Sequence, residues 1–157
     1  MRVRTVEPDA NTGPLLAGAQ FSDAFCVAID DTALDARQAA ETILGYRPRW
    51  IKALMAFRNY LVTPFGLKTP SPKRQATADT VGIFPVLSES PDRLVAGFND
   101  KHLDFRVVVD VASAGPGRQV TATTLVLTHN LLGKVYLAMI LPFHRLIVPA
   151  MLRQVAA

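Results

Sequence analysis

Along Lys101–Ala112 the odd-numbered positions Leu103, Phe105, Val107, Val109 and Val111 are apolar, while the even-numbered ones open with His102, Asp104 and Arg106. A period of two is the signature of a strand. The same period runs through TVGIFPVLSES, RLVAGFN and QVTATTLVLTHN, and the breaks between these segments are SPDR, a single Asp100 and SAGPGR. Those are turn compositions, so the segments predict consecutive antiparallel strands joined as a meander. An earlier short strand, FCVAI (Phe25–Ile29), carries Phe25, Val27 and Ile29 on one side.

Elsewhere the period lengthens to that of a helix. Ala36, Ala39, Ala40, Ile43 and Leu44 recur at helical spacing, with Thr32 and Asp35 as a capping box and Gly45 as the stop. Pro48 suits the first turn of a second helix whose apolar side is Trp50, Ile51, Leu54, Met55, Phe57, Leu61 and Val62. Residues 66–79 form a Pro-rich basic loop by composition, and residues 1–20 an extended arm. From Leu131 to Gln154 a long final helix places Leu132, Val135, Tyr136, Met139, Phe143, Leu146, Ile147 and Ala150 on one stripe, expected to face the sheet. Pro142 and Pro149 are expected to bend it. Leu131, Leu137, Ile140, Leu141 and Val148 lie off that stripe, so the helix is buried, lines an interface or touches lipid. The order is β-α-α-β-β-β-β-α in a single domain spanning 1–157. That predicts an α+β fold, a curved antiparallel sheet against a long C-terminal helix. About 24 helical residues and a strand of about 11 both span roughly 36 Å, so the helix can cover the sheet end to end.

Pairing Leu103 with Leu127 and Phe105 with Leu125 unites the apolar positions of the last two strands. A one-residue slip would push Leu125 and Leu127 outward. The preferred register puts the His102, Asp104 and Arg106 row on the face away from the helices. There it reads as an exposed ion cluster, a docking patch, or a catalytic dyad if a nucleophile stands nearby. The same register sends His129 to the helix-facing side, as a hydrogen-bonded core residue or a ligand contact.

Composition narrows the functions. Half of the 157 residues are hydrophobic, which excludes a disordered chain. The net charge is +4, but Arg47, Arg49, Lys52 and Arg58 are spread around one helix and Lys68, Lys73 and Arg74 sit in the loop. A nucleic-acid surface concentrates its cations on one stripe, so a solvated surface is expected and no nucleic-acid partner. The single Cys26 cannot form an internal disulfide, which suits a reducing compartment. The N-terminus has no apolar signal core, and no stretch reaches roughly 18 uninterrupted apolar residues. These features predict a soluble, cytoplasmic protein without a transmembrane segment, leaving peripheral membrane contact open. Three histidines and one cysteine show no metal-ligand spacing, and no Gly-rich phosphate loop is present, so neither metal nor cofactor is expected.

The strings DKHLDFRV (Asp100–Val107), THNLLGKVYL (Thr128–Leu137) and PFHRLIVPAML (Pro142–Leu152) resemble a bacterial family of unknown function. Weaker similarity lies in WIKALMAFRNYLVTPFGLK (Trp50–Lys68). The resemblance covers most of the chain from about Phe21 onward. It implies a START-like, helix-grip (SRPBCC-type) domain that occurs alone and behind NAD(P)-binding epimerase-like domains. In that group a curved sheet of seven strands wraps a long helix around an apolar cavity; the periodicity here reads five. No nicotinamide motif is present, so the fused partner's cofactor is not carried over.

The leading expectation is therefore a module that binds a hydrophobic or amphipathic small molecule between sheet and final helix. Its walls would be Trp50, Leu54, Phe105, Leu127, Tyr136, Met139 and Phe143, with His129 and Arg58 as polar anchors. The alternative is a non-catalytic interaction subunit, as a homodimer or with an oxidoreductase-like partner. An enzyme using His129 or His102 as general base ranks behind both.

Overall fold

In a computed structural model the described residues are 3–9, 12–30, 33–46, 49, 52–53, 56, 80–81, 84–99 and 102–156. They form an α+β, helix-grip-like fold. Its strands are β1 (Arg4–Val6), β2 (Phe21–Ile29), β3 (Thr80–Val81), β4 (Phe84–Glu89), β5 (Arg93–Asn99), β6 (Leu103–Ala114) and β7 (Gly117–Thr128). The helices are α1 (Ala36–Gly45) and α2 (Leu131–Ala156). All seven strands pair antiparallel in the order β1-β2-β7-β6-β5-β4-β3. The meander is as the periodicity predicts. Of the two further strands, β1, of 3 residues, lies in the expected arm, and β3, of 2 residues, is the start of TVGIFPVLSES, which the periodicity reads as one strand and which here supplies both β3 and β4. The predicted second helix and the 66–79 loop fall outside the described residues, apart from isolated helical positions.

Local chemistry sets the element ends. Asp35, in extended backbone, caps α1: its carboxylate accepts from Gln38 N at 2.8 Å, and the Gln38 side chain accepts from Asp35 N at 3.1 Å. The capping box is thus Asp35–Gln38, one step beyond the expected Thr32–Asp35. Asn130 caps α2, its Oδ1 accepting from Gly133 N at 2.9 Å.

The largest departure from the sequence reading concerns β6 and β7. Leu103 lies opposite Thr128, Phe105 opposite Val126 and Arg106 opposite Leu125. This is the slipped register that a one-faced core disfavours. It holds because the sheet is buried on both faces. Val107, Val109, Val111, Val120 and Ala122 face α1 and the end of α2 in the main core. Leu125, Leu127, Val95 and Val108 face the other way, against Leu15, Leu16 and Ala19 of the segment after the short 3-10 turn Gly13–Leu16 begins. Residues expected to be an extended arm therefore supply the lid of a second core. Gln20 fastens that lid, bonding Thr128 N at 2.6 Å and the Thr128 carbonyl at 3.3 Å.

The final helix is continuous through Pro142 and Pro149, but it does not present the predicted stripe to the sheet. Its inward residues are Gly133, His144, Val148, Met151, Leu152 and Val155. Of the predicted stripe, Val135 and Leu146 are exposed (44% and 63%) and the remainder are half-buried. A helix apolar all round carries no preference from its hydrophobic pattern alone, so specific contacts decide its rotation. Gly133 packs so tightly that a Cβ there would collide with the His102 carbonyl oxygen. By length and composition α2 is able to cross a membrane, yet its inner face is committed to β2, β7 and α1.

The contact at Gly133 gives a test of sign. Ala is the better helix former by roughly 1 kcal/mol, but overpacking against backbone that cannot move aside costs about 1–3 kcal/mol. Gly133→Ala is therefore expected to lower stability in urea denaturation. Unchanged or higher stability would show that α2 does not sit this close to the sheet.

Candidate functional site

On the concave face of the sheet, towards the helices, one acid stands on β2 among apolar neighbours. In β2 the odd positions Phe21, Phe25, Val27 and Ile29 share a side with Asp23. Opposite it α2 places His144. The imidazole Nε2 stands 3.0 Å from Asp23 Oδ2 and 3.2 Å from Oδ1, with both side chains largely withdrawn from water (16% and 17% exposed). The Phe21 ring meets the imidazole edge-on, centroids 5.9 Å apart at 84°. Since a carboxylate only accepts, Nε2 carries the proton and donates. In the neutral ring Nδ1 is then left with a lone pair, and among the described residues it has no hydrogen-bond partner. A carboxylate-oriented imidazole with one free nitrogen can accept a ligand's hydrogen bond or exchange a proton with it.

Two strands away lies an aromatic shelf. Phe84 and Phe98 stack at 6.2 Å and 3°, and Phe105 tilts against them at 5.2 and 5.7 Å. All three rings are half-buried. Gly97 lets β5 come close here: at φ +153 it adopts backbone that side chains avoid, and a Cβ would strike the Phe105 carbonyl. Phe21 and Phe105 both pair with Val126, from opposite sides of β7. The near edge of the shelf, Phe105, is thus two strand spacings or about 10 Å across the sheet from β2, with Phe98 and Phe84 one and two strands further. Val126 and Thr124 form the strip between Phe105 and β2, both buried.

The predicted site residues scatter relative to this arrangement. Phe105 is in the shelf. Tyr136, Met139 and Phe143 are half-buried on α2. Trp50, Leu54 and Arg58 lie outside the described residues. Leu127 packs in the second core on the opposite face of the sheet. His129 is there too, its Nε2 3.0 Å from Asp104 Oδ1, and not on the helix-facing side. Both corrections follow from the register, because shifting a strand by one residue exchanges its faces.

The His102–Asp104–Arg106 row does face away from the helices, but it is tied down more firmly than a free ion cluster. Asp104 pairs with His129, and Arg106 donates to Asn99 Oδ1 at 2.8 Å and to the Phe98 and Phe105 carbonyls. His102 Nδ1 accepts from Asn130 Nδ2 at 3.0 Å, while its Nε2 is buried without a partner among the described residues. Further down the same face Arg93 donates to Asp110 at 2.6 Å, and that bond raises the Arg93 pKa and holds its charge in place. Among the described residues no group of histidine, cysteine and carboxylate side chains has the arrangement of a metal site.

Asp23, His144, Phe84 and Phe98 were not singled out from the sequence. A signal existed for the first two. Once β2 is extended back to Phe21, Asp23 is a charged residue on the apolar parity of a buried strand. His144 is the only histidine in an apolar helix of 26 residues.

The family described as "Protein of unknown function (DUF2867)" matches residues 15–151. The chain belongs to this family. Among solved structures, CalU16 from Micromonospora echinospora is similar at 18% identity, with 85% of this chain and 80% of that chain covered and a TM-score of 0.37. Ms6760 from Mycobacterium smegmatis is similar at 9% identity, with 98% and 95% covered and a TM-score of 0.35. No curated protein matches the chain. The DUF2867 match takes in both Asp23 and His144 and all three rings of the shelf.

The coupling of the two partners is measurable. In a double-mutant cycle with Asp23→Ala and His144→Ala, the pair is expected to show about 1–2 kcal/mol of interaction in urea denaturation, above the range of exposed ion pairs. A coupling indistinguishable from zero would contradict the contact.

Proposed function

We propose that this DUF2867 chain binds a hydrophobic or amphipathic small molecule between the concave face of its sheet and the final helix. The body of the ligand lies on Phe84, Phe98 and Phe105, and its polar end meets His144. The observation that carries this reading is the His144–Asp23 pair: an oriented imidazole set into an apolar face, its Nδ1 unpartnered among the described residues. Sites for small ligands combine mostly apolar walls with a few placed polar groups, and the shelf and the pair have that composition. The shelf lies two to four strand spacings from β2, about 10 to 19 Å, and this sets the length of molecule that touches both.

Phe105, Tyr136, Met139 and Phe143 remain in the proposed wall; Leu127 and His129 do not. Trp50, Leu54 and Arg58 are retained from the sequence pattern alone. Activity as an enzyme is not required by this reading, since an orienting carboxylate serves an anchor as well as a base.

Native mass spectrometry of the protein purified from cells tests it. A bound species released by organic solvent is expected, together with a lower bound fraction in Phe105→Ala and His144→Leu. Protein that carries no adduct, with a crystal structure packed solid between Phe105 and α2, would overturn the proposal.

A further inference from the structure

The outward side of α2 has a chemistry of its own. Leu131, Val135 and Leu146 are exposed at 76%, 44% and 63%, and Lys134, Arg145 and Arg153 are exposed beside them. These positions recur at spacings of three and four, then eleven, then seven to eight, all near whole numbers of helical turns, so they form one strip along the helix. The strip is about 28 Å long from Lys134 to Arg153. No Asp or Glu occurs between Leu131 and Ala157. Apolar side chains interleaved with cations, with no anion in the helix to answer them, is a composition that ordinary solvent exposure does not call for.

We propose that this strip docks the protein on an anionic lipid surface, with α2 lying in the plane of the headgroups. Each element of the strip then has a partner: lipid phosphates take Lys134, Arg145 and Arg153, and Leu131, Val135 and Leu146 enter the acyl boundary. The opposite side of α2 excludes spanning, because Val148, Met151, Leu152 and Val155 are packed on the core and His144 is bonded to Asp23. A second copy of the chain fits less well. A two-fold interface would set the same cations against themselves, without acids on the helix to neutralise them. A nucleic acid would answer the cations but not the leucines between them. Val135 and Leu146 adjoin Met139 and Phe143 of the proposed ligand wall at helical spacings of four and three, and the flotation readout does not depend on that wall.

The test is vesicle flotation with the full chain, against phosphatidylcholine alone and against phosphatidylcholine and phosphatidylglycerol in equal parts. The protein is expected to float with the mixed vesicles, to stay behind with the neutral ones, and to be released by high sodium chloride. Arg145→Glu and Leu146→Ser are each expected to cut the bound fraction roughly fivefold or more, a loss of about 1 kcal/mol, at exposed positions where the fold should tolerate them. Arg4→Glu makes the same change of net charge on β1, where Arg4 is exposed, and is expected to leave flotation unchanged. Equal binding to neutral vesicles would remove the electrostatic half of the proposal. A loss in Arg4→Glu as large as in Arg145→Glu would reduce it to net charge. Absence of flotation would overturn it, whether light scattering then shows a dimer split by Leu146→Ser, or heparin retention points to a polyanion.

Discussion

The pairing of β6 with β7 in a register that buries both faces of the sheet is the constraint on which the rest depends. It sends Phe105 and Val107 to the helices while Leu125 and Leu127 go to the N-terminal segment. Shifting that ladder by one residue would exchange the faces of β7 and put Leu125 under the helices. The second core at Leu15, Leu16 and Ala19 prevents this, since it covers apolar surface that the slipped pairing would otherwise leave in water. The concave face owes its composition to the same choice. Thr124 and Val126, rather than Leu125, form the strip between the aromatic shelf and Asp23.

The final helix shows what a hydrophobic pattern can and cannot decide. A helix apolar on every side satisfies the core in several rotations, so small local contacts choose among them. Here a glycine permits close approach at one end, a histidine finds its carboxylate near the middle, and Val148, Leu152 and Val155 fill the space over α1. The consequence is functional. His144 comes to the inner side of α2, and Lys134, Arg145 and Arg153 go outward with Leu131, Val135 and Leu146.

Much of this architecture was legible in the residues. The alternation through β4, β5, β6 and β7, the length of α2 and the turn compositions are local properties, and they led to the right class of fold. What was not legible depends on contacts distant in sequence. The period of β6 and β7 fits two registers equally well unless the cover over Leu125 is known, and that cover comes from a stretch after Thr12 that has no periodicity of its own. His129 and Leu127 were assigned to the site through that single choice. The local pattern begins β2 at Phe25 and leaves Asp23 in a loop; four residues of extra strand turn it into a charge on a buried face. The DUF2867 match supplies no activity, so the functional reading rests on the shelf and the His144–Asp23 pair.

Because the face assignments all descend from one ladder, the decisive measurement is the set of cross-strand contacts in an NMR spectrum of the intact protein. The account predicts close Hα–Hα approaches between Phe105 and Val126 and between Val107 and Thr124. Approaches joining Phe105 to Leu125 and Val107 to Thr123 would contradict it, and would return Leu125 and Leu127 to the helix side of the sheet.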